Sequence, residues 1–230
     1  MSQTTSPQIR ATAKELDLKL KTVDEDRWLA TRYSPKPIRS RLVAFYCLVH
    51  ELDRTLTMSE PMLGHIRVQW WREVVEQVYS GQTVRSHDLA LALKEELGSL
   101  EHLLSDFLDL FEAYDDVLEK GVSDHKSRIE AGAQVSATAF KIVRLKNDEH
   151  LKIVENCGRA YIASRLNAEN TTLLYDLARR DFKIIPIEFG GVVNHVSLVP
   201  AYVKSTRLSG IKKRWLIFKA VCSGRIGALV

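Results

Sequence analysis

The chain is poor in residues that interrupt a backbone and in those that cross-link it. It holds eleven glycines and six prolines in 230 residues, which points to long helices and away from many short strands. Three cysteines, Cys47, Cys157 and Cys222, lie far apart, and no two form a CxxC pair. That excludes a disulfide framework and fits a reducing compartment. The seven histidines are scattered, with no HExxH or other ligand spacing, so none is read as a metal ligand. No apolar run approaches the roughly 20 residues that span a bilayer. The first residues, MSQTTSPQIRATAKELDLKL, lack the apolar core of a signal peptide, and their acids count against a transit peptide. A cytoplasmic protein of bacterial type is expected, with a place at the inner membrane surface left open. No basic stripe interleaves with aromatics, which argues against nucleic acid as a partner. The net charge of +4 permits an anionic partner, whether a diphosphate, an acidic protein or a lipid surface, without demanding one.

What is present is a helical pattern. With 45% apolar residues the chain can bury one good core. A single domain over 1–230 is expected, with 1–22 as an N-terminal extension containing part of a helix. Helices are expected over 24–33, 38–57, from a Ser59 cap and Pro61 to near Gly81, over 87–120 with a break at Gly98-Ser99, and over 124–145 and 148–169. The stretch from Thr171 to Gly191 reads as less regular, with 183–186 extended. Short helices near 197–206 and 210–222 close the chain.

The most informative segment is Tyr46 to Tyr79, YCLVHELDRTLTMSEPMLGHIRVQWWREVVEQVY. Its first helix carries Glu51 and Asp53 beside Arg54, and its second carries Arg67 beside Trp70 and Trp71. The acids read first as solvated groups or as partners of Arg54 and Arg67. Adjacent tryptophans point to different sides of a helix. One is expected in the core, and the other over a groove or against a partner. Arg67 lies three and four residues before the two indoles, so its guanidinium can stack on one of them. Near the end, IKKRWLIFK (211–219) mixes bases with bulky apolar residues. It reads as a last core helix with a basic face, or as a membrane-surface contact.

These strings resemble the squalene/phytoene synthase family. Asp26 to Tyr46 resembles the family's opening helix, proline turn and second helix, with Asp26-Arg27 where a Ser-Phe pair is usual. Asp53 to Thr57 stands at the first D-D-x-x-D type motif, with only the first acid kept. Tyr46 falls among the cavity candidates of the same helix. Glu130 to Phe140, EAGAQVSATAF, resembles the small-residue helix that lines the family's cavity. Cys157 to Leu166 resembles the helix leading to the second acid motif, whose acids are here Glu169 and, four places on, Leu173. Lys183 to Pro186 resembles the family's R-x-Y-L-P segment. The run from His50 to Glu73 is most similar to a non-synthase branch that includes the assembly factor of respiratory complex I and its bacterial relatives.

The resemblance implies an all-α, single-domain helical bundle of the isoprenoid synthase type around a central cavity. It also places Asp53 and Glu169 on helices facing each other across that cavity. Ionising a prenyl diphosphate requires several Mg²⁺ ions held by facing carboxylate pairs at i and i+4. Thr57 and Leu173 stand at the i+4 places, and Arg54 adds a positive charge. The implied protein therefore acts by binding, needs no cofactor, and takes a protein partner or a hydrophobic isoprenoid ligand, with respiratory-complex assembly as a process. An active prenyltransferase using Mg²⁺ at Asp53 and Glu169, or a carrier of an isoprenoid or quinone-like lipid, are the alternatives.

Overall fold

The computed structural model describes residues 7–143, 150–205 and 207–227, with side chains described from residue 13. All regular structure among them is helical. None of these helices is long and apolar enough to cross a membrane.

Helix α1 (Pro7–Val23) is followed after Asp24 by the short α2 (Glu25–Thr31) and then α3 (Lys36–Thr55). Residues 42–49 of α3 are all buried, and a helix apolar on every side belongs at the centre of a bundle. It packs against α1, α2, α4 (Pro61–Tyr79), α5 (Asp88–Leu97) and α7 (His125–Val143). The expected N-terminal extension is thus a helix of the bundle, held by Leu16 and Leu20, both buried against α3. Helix α4 starts with Pro61 in its first turn as expected, but its cap residue is Glu60, with no side-chain capping bond from Ser59.

The break near Gly98 is real. Helix α5 stops there, residues 101–103 form a single 3₁₀ turn, and α6 (Leu104–Lys120) runs on to Gly121 at φ 89°. That backbone angle suits glycine and ends the helix. Helix α8 (Leu151–Leu166) closes on Asn167 in the left-handed region.

The segment after α8 departs from expectation. Residues 171–181 form a regular helix, α9 (Thr171–Asp181), because Thr171, Tyr175 and Ala178 bury one stripe. The extended stretch shrinks to Ile185 and Pro186, between two 3₁₀ turns. Three more helices follow: α10 (Gly190–Val193), α11 (Val199–Lys204) and α12 (Gly210–Ser223).

The closest helix pair is α7 with α8. A Cβ at Gly158 would lie 2.4 Å from the Gly132 carbonyl oxygen and 2.5 Å from Ser136 Oγ, and one at Gly132 would lie 2.2 Å from Ile162 Cγ1. The small residues of α7 therefore let α8 approach its backbone, and they leave little space between the helices. A pocket of about 40 Å³ lies between Tyr114, Ala131, Gly132, Val135 and Ile162. That is room for a few waters. Small residues of α7 expected to line a cavity thus do line one, and Ile162 also lines a larger recess beside it.

Gly158→Ala should therefore cost about 1–3 kcal/mol in a urea melt, since backbone must shift to admit the methyl group. Gly227→Ala, whose Cβ meets nothing within 4 Å, should stay within about 0.5 kcal/mol of the parent. Equal stability of the two variants would show that α7 and α8 are not held this close.

Candidate functional site

The start of α2 carries four consecutive charges, Asp24-Glu25-Asp26-Arg27. Asp24 caps the helix by accepting from the Arg27 amide at 3.1 Å, and acids in a first turn suit the helix dipole. Asp26 and Arg27 are neighbours on the helix, take different ion-pair partners and meet at Tyr161. Both are buried, at 4% and 5% exposure.

Asp26 collects partners from three later helices. Its carboxylate accepts from the Tyr161 hydroxyl of α8 at 2.9 Å and the Tyr202 hydroxyl of α11 at 2.5 Å, and pairs with the Lys213 ammonium of α12 at 2.9 Å. Burial opposes its charge, but Tyr202, Lys213 and Tyr161 together hold its carboxyl below the usual range. Behind Tyr161 lies His195, fully buried, with its ring edge-to-face at 4.5 Å. Burial pushes this imidazole down to about 3, so it is neutral.

Arg27 has its own set of partners. Its guanidinium pairs with Asp24 at 3.0 Å and lies over the Tyr46 ring at 5.5 Å and the Tyr161 ring at 5.4 Å. Burial disfavours its charge, yet Asp24, the two phenolic rings and Asp53 more than offset this and raise its pKa. It is a permanent cation fixed in the structure.

Asp53 comes from α3 and accepts from the Tyr114 hydroxyl at 2.6 Å. Its outer surface is open to water, but protein crowds it closely. That crowding raises its pKa against the pull of Arg27 and the Tyr114 hydrogen bond. Arg27 and Asp53 line one recess of about 470 Å³, together with Asp24, Asp26, Arg128, Arg165 and Lys213. The recess carries cations and anions in similar number.

Of the residues expected from sequence, Asp53 alone stands in this recess as an acid of the first motif. Thr57 also lines it, but its hydroxyl donates back to the Arg54 carbonyl at 2.9 Å. Tyr46 lies in the core beneath Arg27. Glu169 does not face Asp53. It is exposed in the turn between α8 and α9, outside the residues that line the recess, and Leu173 is 63% exposed on α9. Here α8 presents Tyr161, Ile162 and Arg165 instead.

Glu51 lies elsewhere on α3 and forms a buried hub, with Lys19 at 2.7 Å, Arg54 at 3.1 Å and Arg67 at 3.9 Å. Burial opposes its charge, but Lys19 and Arg54 hold its carboxyl below the usual range. The pairing of Arg67 with an acid of the neighbouring helix is thus present. Its stacking on an indole is not, because Arg85 covers Trp70 at 5.3 Å. Trp71 is buried, Trp70 is half-buried, and the two rings meet edge-to-face at 4.7 Å instead of diverging.

Among the described residues no three His, Cys, Asp or Glu side chains converge as a metal site. The carboxylates of the recess are engaged, Asp24 by Arg27, Glu25 by Lys213 and Arg214, Asp26 by Lys213 and two phenols, and Asp53 by Tyr114. Magnesium prefers oxygen ligands in octahedral array and several carboxylate charges. This donor set does not fit a cluster of such ions.

Sequence reasoning missed Asp26, Arg27, Tyr161, Tyr202 and Lys213 as a unit. The available signal was the Asp26-Arg27 pair itself, two charges inside a short helix whose Leu29 and Ala30 are buried. Its partners lie 135 to 187 residues away, and no local pattern links them.

Two outcomes follow from the charges. Arg27→Met leaves Asp24 and Asp53 without their buried counter-ion and should cost about 3–5 kcal/mol by denaturant titration. Arg67→Met, which loses a longer and partly exposed contact, should cost no more than about 1 kcal/mol. Asp26 has a lowered folded pKa, so its stabilisation is present above the ordinary value of 3.8 and is lost as pH falls through the lower folded value. Asp26→Asn should remove that limb from a plot of stability against pH. An unchanged acid limb would show that the carboxylate is not held in this way.

Residues 20–127 match the family model of squalene/phytoene synthase. The match begins in α1 and runs past α6, so it contains Asp26, Arg27, Asp53, Arg67 and the two tryptophans. It covers a little under half of the chain and ends in the first turn of α7, the helix that pairs with α8. No curated protein and no solved structure matches the chain. The segment that supplies α2 and α3 to the recess is thus squalene/phytoene synthase-like, and the all-α bundle is the fold of that family.

Proposed function

We propose that the protein is a squalene/phytoene synthase-like binding protein that does not ionise prenyl diphosphates. The carrying observation is Arg27, a buried guanidinium fixed by Asp24 and two tyrosine rings beside Asp53. A synthase needs divalent cations at that acid to neutralise a leaving diphosphate. Here the protein's own cation stands beside it. Repulsion between a guanidinium and an approaching Mg²⁺ is strong at short range in a crowded site.

Two further observations support binding over catalysis. The pocket that adjoins the recess between α6, α7 and α8 holds about 40 Å³, which by itself is too little for a prenyl chain. Helix α4 also exposes Met62, Leu63 and Ile66 beside Arg67, an apolar edge that continues to half-buried Trp70. We read this edge as the face for a protein partner. The similarity of the His50 to Glu73 string to the complex I assembly branch makes respiratory-complex assembly the process we assign.

Incubation of the pure protein with labelled farnesyl and geranylgeranyl diphosphates and Mg²⁺ should yield no condensed product. Calorimetry with a prenyl diphosphate analogue should show no affinity gain on adding Mg²⁺. Mg²⁺-dependent condensation, or a micromolar complex that requires Mg²⁺, would overturn this reading.

A further inference from the structure

Helix α12 has three faces. Ile217 and Ala220 are buried, and the helix packs on α2 and on residues 194–198. Lys213 and Arg214 pair with the acids that open α2. The third face meets solvent. Ile211 is 82% exposed, Trp215 61% and Phe218 48%. They stand at i, i+4 and i+7, so they form one stripe along the helix. With Trp28 and Tyr33 they line an open hollow of about 530 Å³.

Lys212 and Lys219 come next around the helix, since each follows a stripe residue by one position. Together with Lys204 and Arg225 they line an adjoining groove of about 280 Å³ that contains no acidic residue. The groove's floor is apolar, with Pro200, Ala201 and Leu216. The ion pairs of α12 are made by Lys213 and Arg214, and these four cations enter none among the described residues. A bulky apolar stripe bordered by unpaired cations is the pattern of a helix lying in a membrane interface. Tryptophan suits that depth because its ring is amphipathic.

We propose that this face docks peripherally on an anionic lipid bilayer. Ile211, Trp215 and Phe218 enter the boundary between headgroups and acyl chains, and the four cations meet headgroup phosphates. Charge decides the occupant, since the groove offers four free positive groups and no negative one. The stripe adds an apolar term that a free phosphate cannot use. This inference does not rest on the reading of the recess.

The full chain should co-sediment with vesicles of phosphatidylcholine and phosphatidylglycerol, and only weakly with phosphatidylcholine alone. High salt should reduce binding, as expected when Lys and Arg each contribute about fivefold in affinity near an anionic surface. Inorganic phosphate at matched ionic strength should not compete. Lys212→Glu with Lys219→Glu should lower vesicle affinity at least about tenfold. Trp215→Ser should lower it too, because insertion is lost. Both variants change exposed side chains and should melt like the parent. Binding indifferent to lipid charge and salt would overturn the proposal, and so would full retention by both variants. So would an absence of vesicle binding alongside tight binding of polyglutamate, which would assign the face to an acidic protein.

Discussion

The structure depends on the burial of two opposite charges side by side on α2. A buried charge must be compensated or it costs several kcal/mol, and Asp26 and Arg27 are each paired with other groups and not with one another. Asp26 finds its partners on α8, α11 and α12, and Arg27 finds its own in Asp24, Tyr46 and Tyr161. Tyr161 serves both, donating to one charge and stacking on the other. The pair thereby holds the C-terminal helices against the N-terminal ones. Packing alone would fix such an arrangement less sharply, because α11 and α12 bury few residues each.

The second constraint is the approach of α8 to α7. Small residues in a helix have two structural uses. They leave space for a ligand, or they admit a neighbouring backbone. The pattern of Glu130 to Phe140 is the same in both cases. Gly158 meets Gly132 and Ser136, so at those positions the space is taken by helix. Ala131, Gly132 and Val135 also line the small pocket beside Asp53, so the same stretch serves both uses.

Helix positions were legible wherever an apolar stripe was strong. The centre of α3, the start of α4 at Pro61 and the break at Gly98 all lie where the pattern put them. Helix α9 was not legible because its stripe is thin, and Thr171, Tyr175 and Ala178 are separated by polar and exposed residues. Glu169 was misplaced for a related reason. The helix that should have carried it inward ends at Asn167, where the left-handed residue turns the chain. At α12 the two readings made from sequence were not exclusive. Ile217 and Ala220 face the core, while Ile211, Trp215 and Phe218 face outward on the same helix.

The chemistry of the recess follows from the same accounting of charge. Asp53 is the residue best placed to act on a ligand, and its surroundings raise its pKa while Tyr114 occupies one of its oxygens. An acid in that condition is a weak metal ligand even before Arg27 is considered. A carboxylate placed at Thr57 would share the recess with Asp53 and with the resident guanidinium. Arg27 in turn cannot be removed freely, since Asp24 and Asp53 depend on it. The charges of the recess are therefore coupled through Arg27, which raises the cost of changing any one of them alone. A substitution at Asp24 or Asp53 alters what the guanidinium must offset, and a substitution at Arg27 leaves both acids to find another partner.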